Sequence, residues 1–525
     1  MKNKLKDNLL AVAASAAVIA VVVLLNVVLY SLTAINGWYV AYAEELDLTI
    51  SGRTDPLFED AIAKGRKVEI IFCMPEDELA VHATGKDVLN TARQFKERYP
   101  TLLDLTFYNI RTMQDADGNI VADRFEKYQT GPLGEKIALH QGAVIFSSTV
   151  KDEAGNERED FTVLNAIYGG VPFVDFYHID AEGYITAYNG EEMITSMMLW
   201  ALAPEHKIAY FTKGHDEPVD PTFVKMLLCA GYYIAELDLV RTDTYRSSTL
   251  DPEALKNKKG LDLDRAGLVI ISNPAYDFAK GASGVRAEID KLEEYLASGG
   301  SLYVSLDPYV GRLPNLENFL EQYGIKMTEG ETDEGATVKN IIRDPRNAIT
   351  TDGYTFVANY ADNELGEALS KNTDPFVSDD VVVKNVGALT LSGDAKPVLV
   401  SSSAAQAVAG GSQVDSEGSY CVAALSKKAF GDNTANVFVC AGVYLAASDA
   451  VISDSYANRN FIYAVLDEFF GSAAAPYGCK IVPYNSGILE DLTMGTARIY
   501  TVLIMAIPAG LAVLGIVVNK RRKNR

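Results

Sequence analysis

The chain has 525 residues, 48% of them apolar, and 70 acidic against 47 basic side chains give it a formal charge of −23. That length holds two or three units with ordinary hydrophobic cores, and so acidic a chain is repelled by nucleic acid and anionic headgroups, which excludes nucleic-acid binding. Five cysteines (Cys73, Cys229, Cys421, Cys440, Cys479) are scattered without a CxxC spacing, so neither a zinc site nor a redox pair is signalled.

In chain order, a tail at 1–8 bearing Lys2, Lys4 and Lys6 leads into an apolar run at 9–32. A second apolar run, 499–518, precedes a basic tail at 519–525 containing Lys520, Arg521, Arg522, Lys523 and Arg525. About 20 apolar residues in a helix cross a hydrocarbon core of roughly 30 Å, and Lys and Arg resist translocation. The pattern predicts two transmembrane helices in a lipid bilayer, with both termini cytoplasmic and the bulk of the chain outside the cytoplasm. Ala41-Tyr42-Ala43 offers a small-x-small cleavage pattern, but the apolar run before it exceeds the roughly 7–15 residues of a secretory signal. Asn26 is either tolerated within the first span or bonded to a partner helix, and Pro508 implies a mild kink in the second.

Residues 44–203 read as a smaller α/β unit. Strands at Val68 to Cys73 and Leu103–Ile110 flank a helix around Asp87–Arg98, a βαβ pattern. A run at Gly142–Ser147, a polar hairpin or loop at 150–160 and a helix from Gly190 to about Leu202 complete the unit. Phe173 to Asp180 mixes aromatic and polar residues as a half-buried strand does. Residues 205–470 read as a doubly wound unit. It runs Lys207–Thr212 (strand), Phe223–Ala230 (helix), Gly231 as a C-cap, Tyr232–Leu237 (strand), Gly267–Ser272 (strand), Val285–Ser298 (helix) and Ser301–Leu306 (strand). The pattern loosens from Glu329 to Val386. Strands return at Pro397–Ser401, Tyr420–Ala424 and Asn436–Cys440 before a helix at Asn458–Phe470 and a connector at 471–498.

No GxxxxGK[ST], GxSxG or HExxH occurs, and no GxGxxG follows a strand. The most chemically loaded loop is Gly214-His215-Asp216-Glu217, placed where a doubly wound sheet holds ligand contacts, with imidazole and carboxylate together. His178, Asp180 and Asp307 are its possible partners. The bland reading is a turn whose carboxylates cap the next helix. Asn273-Pro274 and Asp307-Pro308 mark two further strand ends, where structural turns are the simpler reading. His82, His140 and His206 show no ligand spacing.

Taken in order, these features resemble the auxiliary family of ABC-type transport systems that includes gliding-motility accessory proteins. The residues that carry the likeness begin with Leu46-Asp47-Leu48-Thr49 and the passage Gly190-Glu191-Glu192-Met193-Ile194-Thr195-Ser196. They continue through Lys207 to Glu217, Asn273-Pro274, Gly299-Gly300-Ser301-Leu302 to Asp307-Pro308, the Asn458–Phe470 helix, Pro508 and the basic tail. The family's Gly-His-Gly-Glu departs here to Asp216 at its third position. The resemblance implies an amidotransferase-like second unit without its catalytic cysteine, and an ABC ATPase and permease as separate partners.

The expectation is therefore a non-catalytic, membrane-anchored extracytoplasmic component of such a transport system, with no cofactor and no metal. Its extracytoplasmic ligand is unidentified, and contacts are placed at His215, Asp216, Glu217, Asn273 and Asp307. The alternatives are a tethered envelope hydrolase working through carboxylates, which needs two of them about 5–9 Å apart, and a sensor ectodomain.

Overall fold

Val68-Glu69-Ile70-Ile71-Phe72 is almost entirely β-branched or aromatic, which suits a pleated, buried strand, and it forms β1 at the centre of a small sheet. The structure is a computed structural model that describes residues 48–484 except 52–53, 132–133, 152–156, 169, 180–182, 204, 283–285, 372–378, 415, 454, 471–475 and 477–478. Helix α1 (Gly85–Arg98) follows β1 and buries Val88, Leu89, Ala92 and Phe95 along one stripe. Strand β2 (Leu103–Phe107) pairs parallel to β1, whereas β3 (Val144–Lys151) is antiparallel to β1 and to β4 (Glu157–Leu164), giving the order β2-β1-β3-β4. Phe173 takes a left-handed φ of 64° and starts a short 3-10 turn, so only the end of the expected strand forms, as β5 (Tyr177–Ile179) paired with β6 (Ile185–Tyr188). Helix α2 (Gly190–Leu202) is buried on nearly every side, as its low polarity requires.

The second sheet is organised around β7 (Ile208–Thr212), whose five residues are all buried. After it come α3 (Pro221–Cys229), β8 (Tyr233–Leu237), β9 (Ala266–Ser272), α4 (Glu288–Ala297), β10 (Ser301–Ser305) and α5 (Pro314–Glu321). The remaining principal elements are β11 (Thr355–Tyr360), β12 (Val381–Lys384), β13 (Ala395–Val400), β14 (Cys421–Phe430), β15 (Asn433–Cys440) and α6 (Asn458–Phe470). Their spatial order is β12-β11-β13-β14-β15-β10-β9-β7-β8. From β8 to β15 every pairing is parallel, and from β15 to β12 every pairing is antiparallel. Within the parallel half the order of first appearance is 2-1-3-4-5, which reverses direction between β7 and β9.

Two expectations are corrected here. The doubly wound, amidotransferase-like description gives way to a mixed α/β architecture of several sheets. The reason is local: β14 and β15 are joined by the two residues Gly431-Asp432, with Gly431 at φ 61°, so they form a hairpin with antiparallel extension beyond it. The membrane placement, with two spans, cytoplasmic termini and an extracytoplasmic bulk, is also withdrawn. No helix among the described residues is long and apolar enough to cross a membrane. The longest, α1, has 14 residues, about 21 Å at 1.5 Å per residue against a core of roughly 30 Å. The runs at 9–32 and 499–518, on which that reading rested, lie outside the described residues.

Residues 48–483 pack as one compact unit, and one carboxylate joins its two ends. Glu191, 4% exposed, accepts from Ser51 N at 2.9 Å, Ser51 Oγ at 2.6 Å and Lys480 N at 3.2 Å. Beside it Val482–Pro483 pairs antiparallel with β6. The next residue, Glu192, accepts from Tyr463 Oη of α6 at 2.7 Å. Asn458, also on α6, satisfies Val382 N and O at 2.8 and 2.9 Å. The polar start of that helix is thus consumed in docking to β12. All five cysteines are free thiols. Register sets Cys440 opposite Ala423 and Cys421 opposite Val400, so the two do not pair.

Candidate functional site

In an open α/β sheet, ligands favour the crevice beyond the strand C-termini where strand order reverses. Here that place is between the loops leaving β7 and β9, where His215 and Asn273 stand. After β7, Lys213 N is drawn back to Leu237 O of β8 at 3.1 Å, and Gly214 at φ 120° supplies a turn that a side chain would strain. His215 then enters the interior at 5% exposure, and Asp216 carries a left-handed φ of 56° and remains exposed.

His215 is held at its backbone, at both ring nitrogens and on one ring face. Its backbone N donates to Glu217 Oε2 at 2.7 Å, its Nδ1 lies 3.0 Å from Glu217 Oε1, and its Nε2 lies 3.2 Å from Glu288 Oε2. The ring stacks on Phe278 at 3.8 Å with 19° between planes, and its carbonyl accepts from Ala275 N at 2.8 Å. A carboxylate accepts without donating, so both ring nitrogens carry hydrogen and the ring is an imidazolium. Burial works against that charge, but the ring's hydrogen bonds to Glu217 and Glu288 and their negative charge prevail and raise its pKa to about 9. Burial alone would push Glu217 upward, and its bond to the imidazolium instead holds it below the usual glutamate value. Glu288 opens α4, where the helix dipole favours a negative charge, and also accepts from Ala279 N at 2.9 Å. Its other oxygen, Oε1, is buried with no partner.

The other two loops are tied to each other. Asn273, at φ 46°, donates from its backbone N to Ser305 O at 2.9 Å, and its Oδ1 accepts from Asp307 N at 3.2 Å. Asp307 closes an Asx turn by accepting from Tyr309 N at 2.9 Å. Of the five expected contact residues, the structure thus joins His215 to Glu217 and Asn273 to Asp307, and leaves Asp216 exposed. Tyr276 and Tyr309, 62% and 64% exposed, stand on the same loops. His178 is a separate buried residue. Burial first, then the charges of Lys225 and Arg459, push its pKa well below the ordinary histidine value. Asp180 lies outside the described residues.

Glu288 and Phe278 escaped the sequence reading. A signal for Glu288 existed: it shares a helical stripe with the buried Leu292 and Tyr295, and a carboxylate on an apolar stripe requires a buried partner. The loop neither lines the open cleft of about 730 Å³ nor that of about 930 Å³. Among the described residues no group of three or more His, Cys, Asp or Glu has the geometry of a metal site.

No protein-family model matches the chain, and no curated protein does so significantly. The association with ABC transport and gliding motility therefore has no family evidence behind it, and those labels are withdrawn. Among solved structures, the mmIFT52 N-terminal domain is 16% identical, over 50% of this chain and 96% of its own, with a TM-score of 0.34. A putative ThuA-like protein from Bacteroides uniformis is 13% identical, over 50% of this chain and 90% of its own, at a TM-score of 0.27. A cytoplasmic protein from Salmonella typhimurium is 12% identical, over 49% of this chain and 98% of its own, also at 0.27. Likenesses of this size carry no argument about function.

Proposed function

We propose that this chain is a non-catalytic recognition component that acts by binding separate protein chains. The supporting observation is the clamped state of His215. At the place where an α/β sheet offers its reactive group, the imidazole has both nitrogens committed to carboxylates and one face covered by Phe278. A general base needs a free nitrogen within reach of a substrate proton, and this ring instead braces the loops. What those loops turn outward is a contact surface of Tyr276, Tyr309 and Asp216, and exposed tyrosines beside polar groups suit protein recognition.

The test places a photo-crosslinking amino acid at Tyr276 or Tyr309 of the full-length protein in its native cells. A crosslink from both positions to the same separate protein chain supports the reading. No protein crosslink from either position, together with polysaccharide cleavage by the purified protein that is lost in Asp216→Asn or Asp307→Asn, overturns it in favour of a hydrolase.

A further inference from the structure

The outer edge of the large sheet, which adjoins the loop after β7 at Lys213, carries a second feature. Among the described residues, strand β8 pairs on one side only, with β7. Tyr233 N donates to Lys207 O at 2.8 Å, and Leu237 O accepts from Lys213 N at 3.1 Å, so the odd-numbered residues of β8 face β7. Alternation in a parallel ladder then turns the backbone N–H and C=O of Ile234 and Glu236 away from the sheet. Folded proteins seldom leave such an edge open unless it is covered or used.

An open cleft of about 730 Å³ runs along this edge. Its floor is apolar, with Tyr210 from β7 and Ala235 and Leu237 from β8. Its rim is cationic, against the trend of a chain with net charge −23. Lys213 and Arg241 on that rim are paired with Glu236 and Asp238, at 2.5 and 3.4 Å. Lys258, Lys259 and Arg265 have no carboxylate at ion-pair distance among the described residues. Lys258 lies 5.4 Å from the Tyr245 ring centroid, and Arg265 lies 6.0 Å from that of Tyr233.

We propose that this edge binds an acidic, extended segment of a partner protein by strand addition. The segment's main chain pairs with Ile234 and Glu236, its carboxylates meet Lys258, Lys259 and Arg265, and an apolar side chain enters over Tyr210 and Ala235. Main-chain pairing provides affinity and the alternate side chains provide specificity, the usual division in β-augmentation. Cationic rims of this kind also speed encounter and make binding fall with salt. The inference does not depend on His215, Asn273 or Asp307.

The probe is a fluorescein-labelled octapeptide of alternating glutamate and valine, titrated with full-length protein and read by fluorescence anisotropy. Saturable binding is expected, weakened at least tenfold by Lys258→Glu with Lys259→Glu, and at least tenfold by N-methylation of every second peptide amide. Both lysines are exposed, and an unchanged thermal unfolding curve for the double variant separates lost binding from lost folding. Three results overturn the proposal: no binding, equal binding by the charge-reversed protein, or equal binding of the N-methylated peptide, which indicates attraction by charge without strand pairing.

Discussion

Neutralising His215 by raising the pH should cost the fold a definite amount. The folded-state pKa is about 9 against roughly 6.5 for an unconstrained histidine. A shift near 2.5 units at 1.36 kcal/mol each sets an upper scale of about 3 kcal/mol. The lowered pKa of Glu217 is the other side of the same ion pair, so it is not added. Because the folded pKa is raised, the contribution is fully present below about pH 6.5 and is lost as pH rises through about 9. At roughly 2.1 cal/mol/K of unfolding entropy per residue, a unit of this size shifts its melting temperature by about 1 °C per kcal/mol. The wild type should therefore exceed His215→Gln by about 3 °C more at pH 6 than at pH 10, beyond any constant packing difference. The chain has only five histidines, so selective 15N-histidine labelling can follow the ring directly. A ring that titrates near 6.5, or a wild-type–variant difference that stays flat from pH 6 to 10, refutes the clamp. In Glu288→Gln the ring's pKa should fall by a unit or more.

Three further predictions concern the rest of the molecule. Glu191→Ala leaves Ser51 N and Lys480 N without their acceptor, at about 1–3 kcal/mol; limited proteolysis should then cut near residues 48–51 and 479–483 faster than in the wild type, and unchanged cleavage there would show that Glu191 does not fasten the ends. Alkylation of the denatured chain without reductant should modify all five cysteines, while the native thiols of Cys73 and Cys440, pushed up to about 12 by burial, react slowly at pH 8; four or fewer modifications would reveal a disulfide. Gly324→Ala places a Cβ 2.0 Å from the Ser392 carbonyl oxygen at a φ of 77°, and urea unfolding should show a loss of about 1–3 kcal/mol; a loss below 0.5 kcal/mol would mean that the turn relaxes freely.

The sequence by itself determined the local elements. The aliphatic run read at 267–272 became β9 (Ala266–Ser272), the helix read at 285–298 became the shorter α4 (Glu288–Ala297), and the helix read at 458–470 has those bounds. Hydrophobic period is a property of neighbours along the chain, so such assignments need no knowledge of the fold. The sequence also marked the His215 loop and the Asn273 and Asp307 turns, because glycine, asparagine and Asp-Pro at strand ends announce special backbone geometry. Tertiary structure alone decided what those residues do. That His215 is charged depends on Glu288, 73 positions away, and no local pattern specifies which carboxylate will meet a ring across a sheet. Which strand lies beside which was equally non-local, apart from the β14–β15 hairpin that the two-residue link Gly431-Asp432 specifies. Period reveals a strand but not its neighbour, so the antiparallel half of the large sheet and the open basic edge at β8 emerged only when pairing was known. Glu191 gathers both ends of the unit by the same logic, for its partners Ser51 and Lys480 stand far apart along the chain and share only a place in the fold.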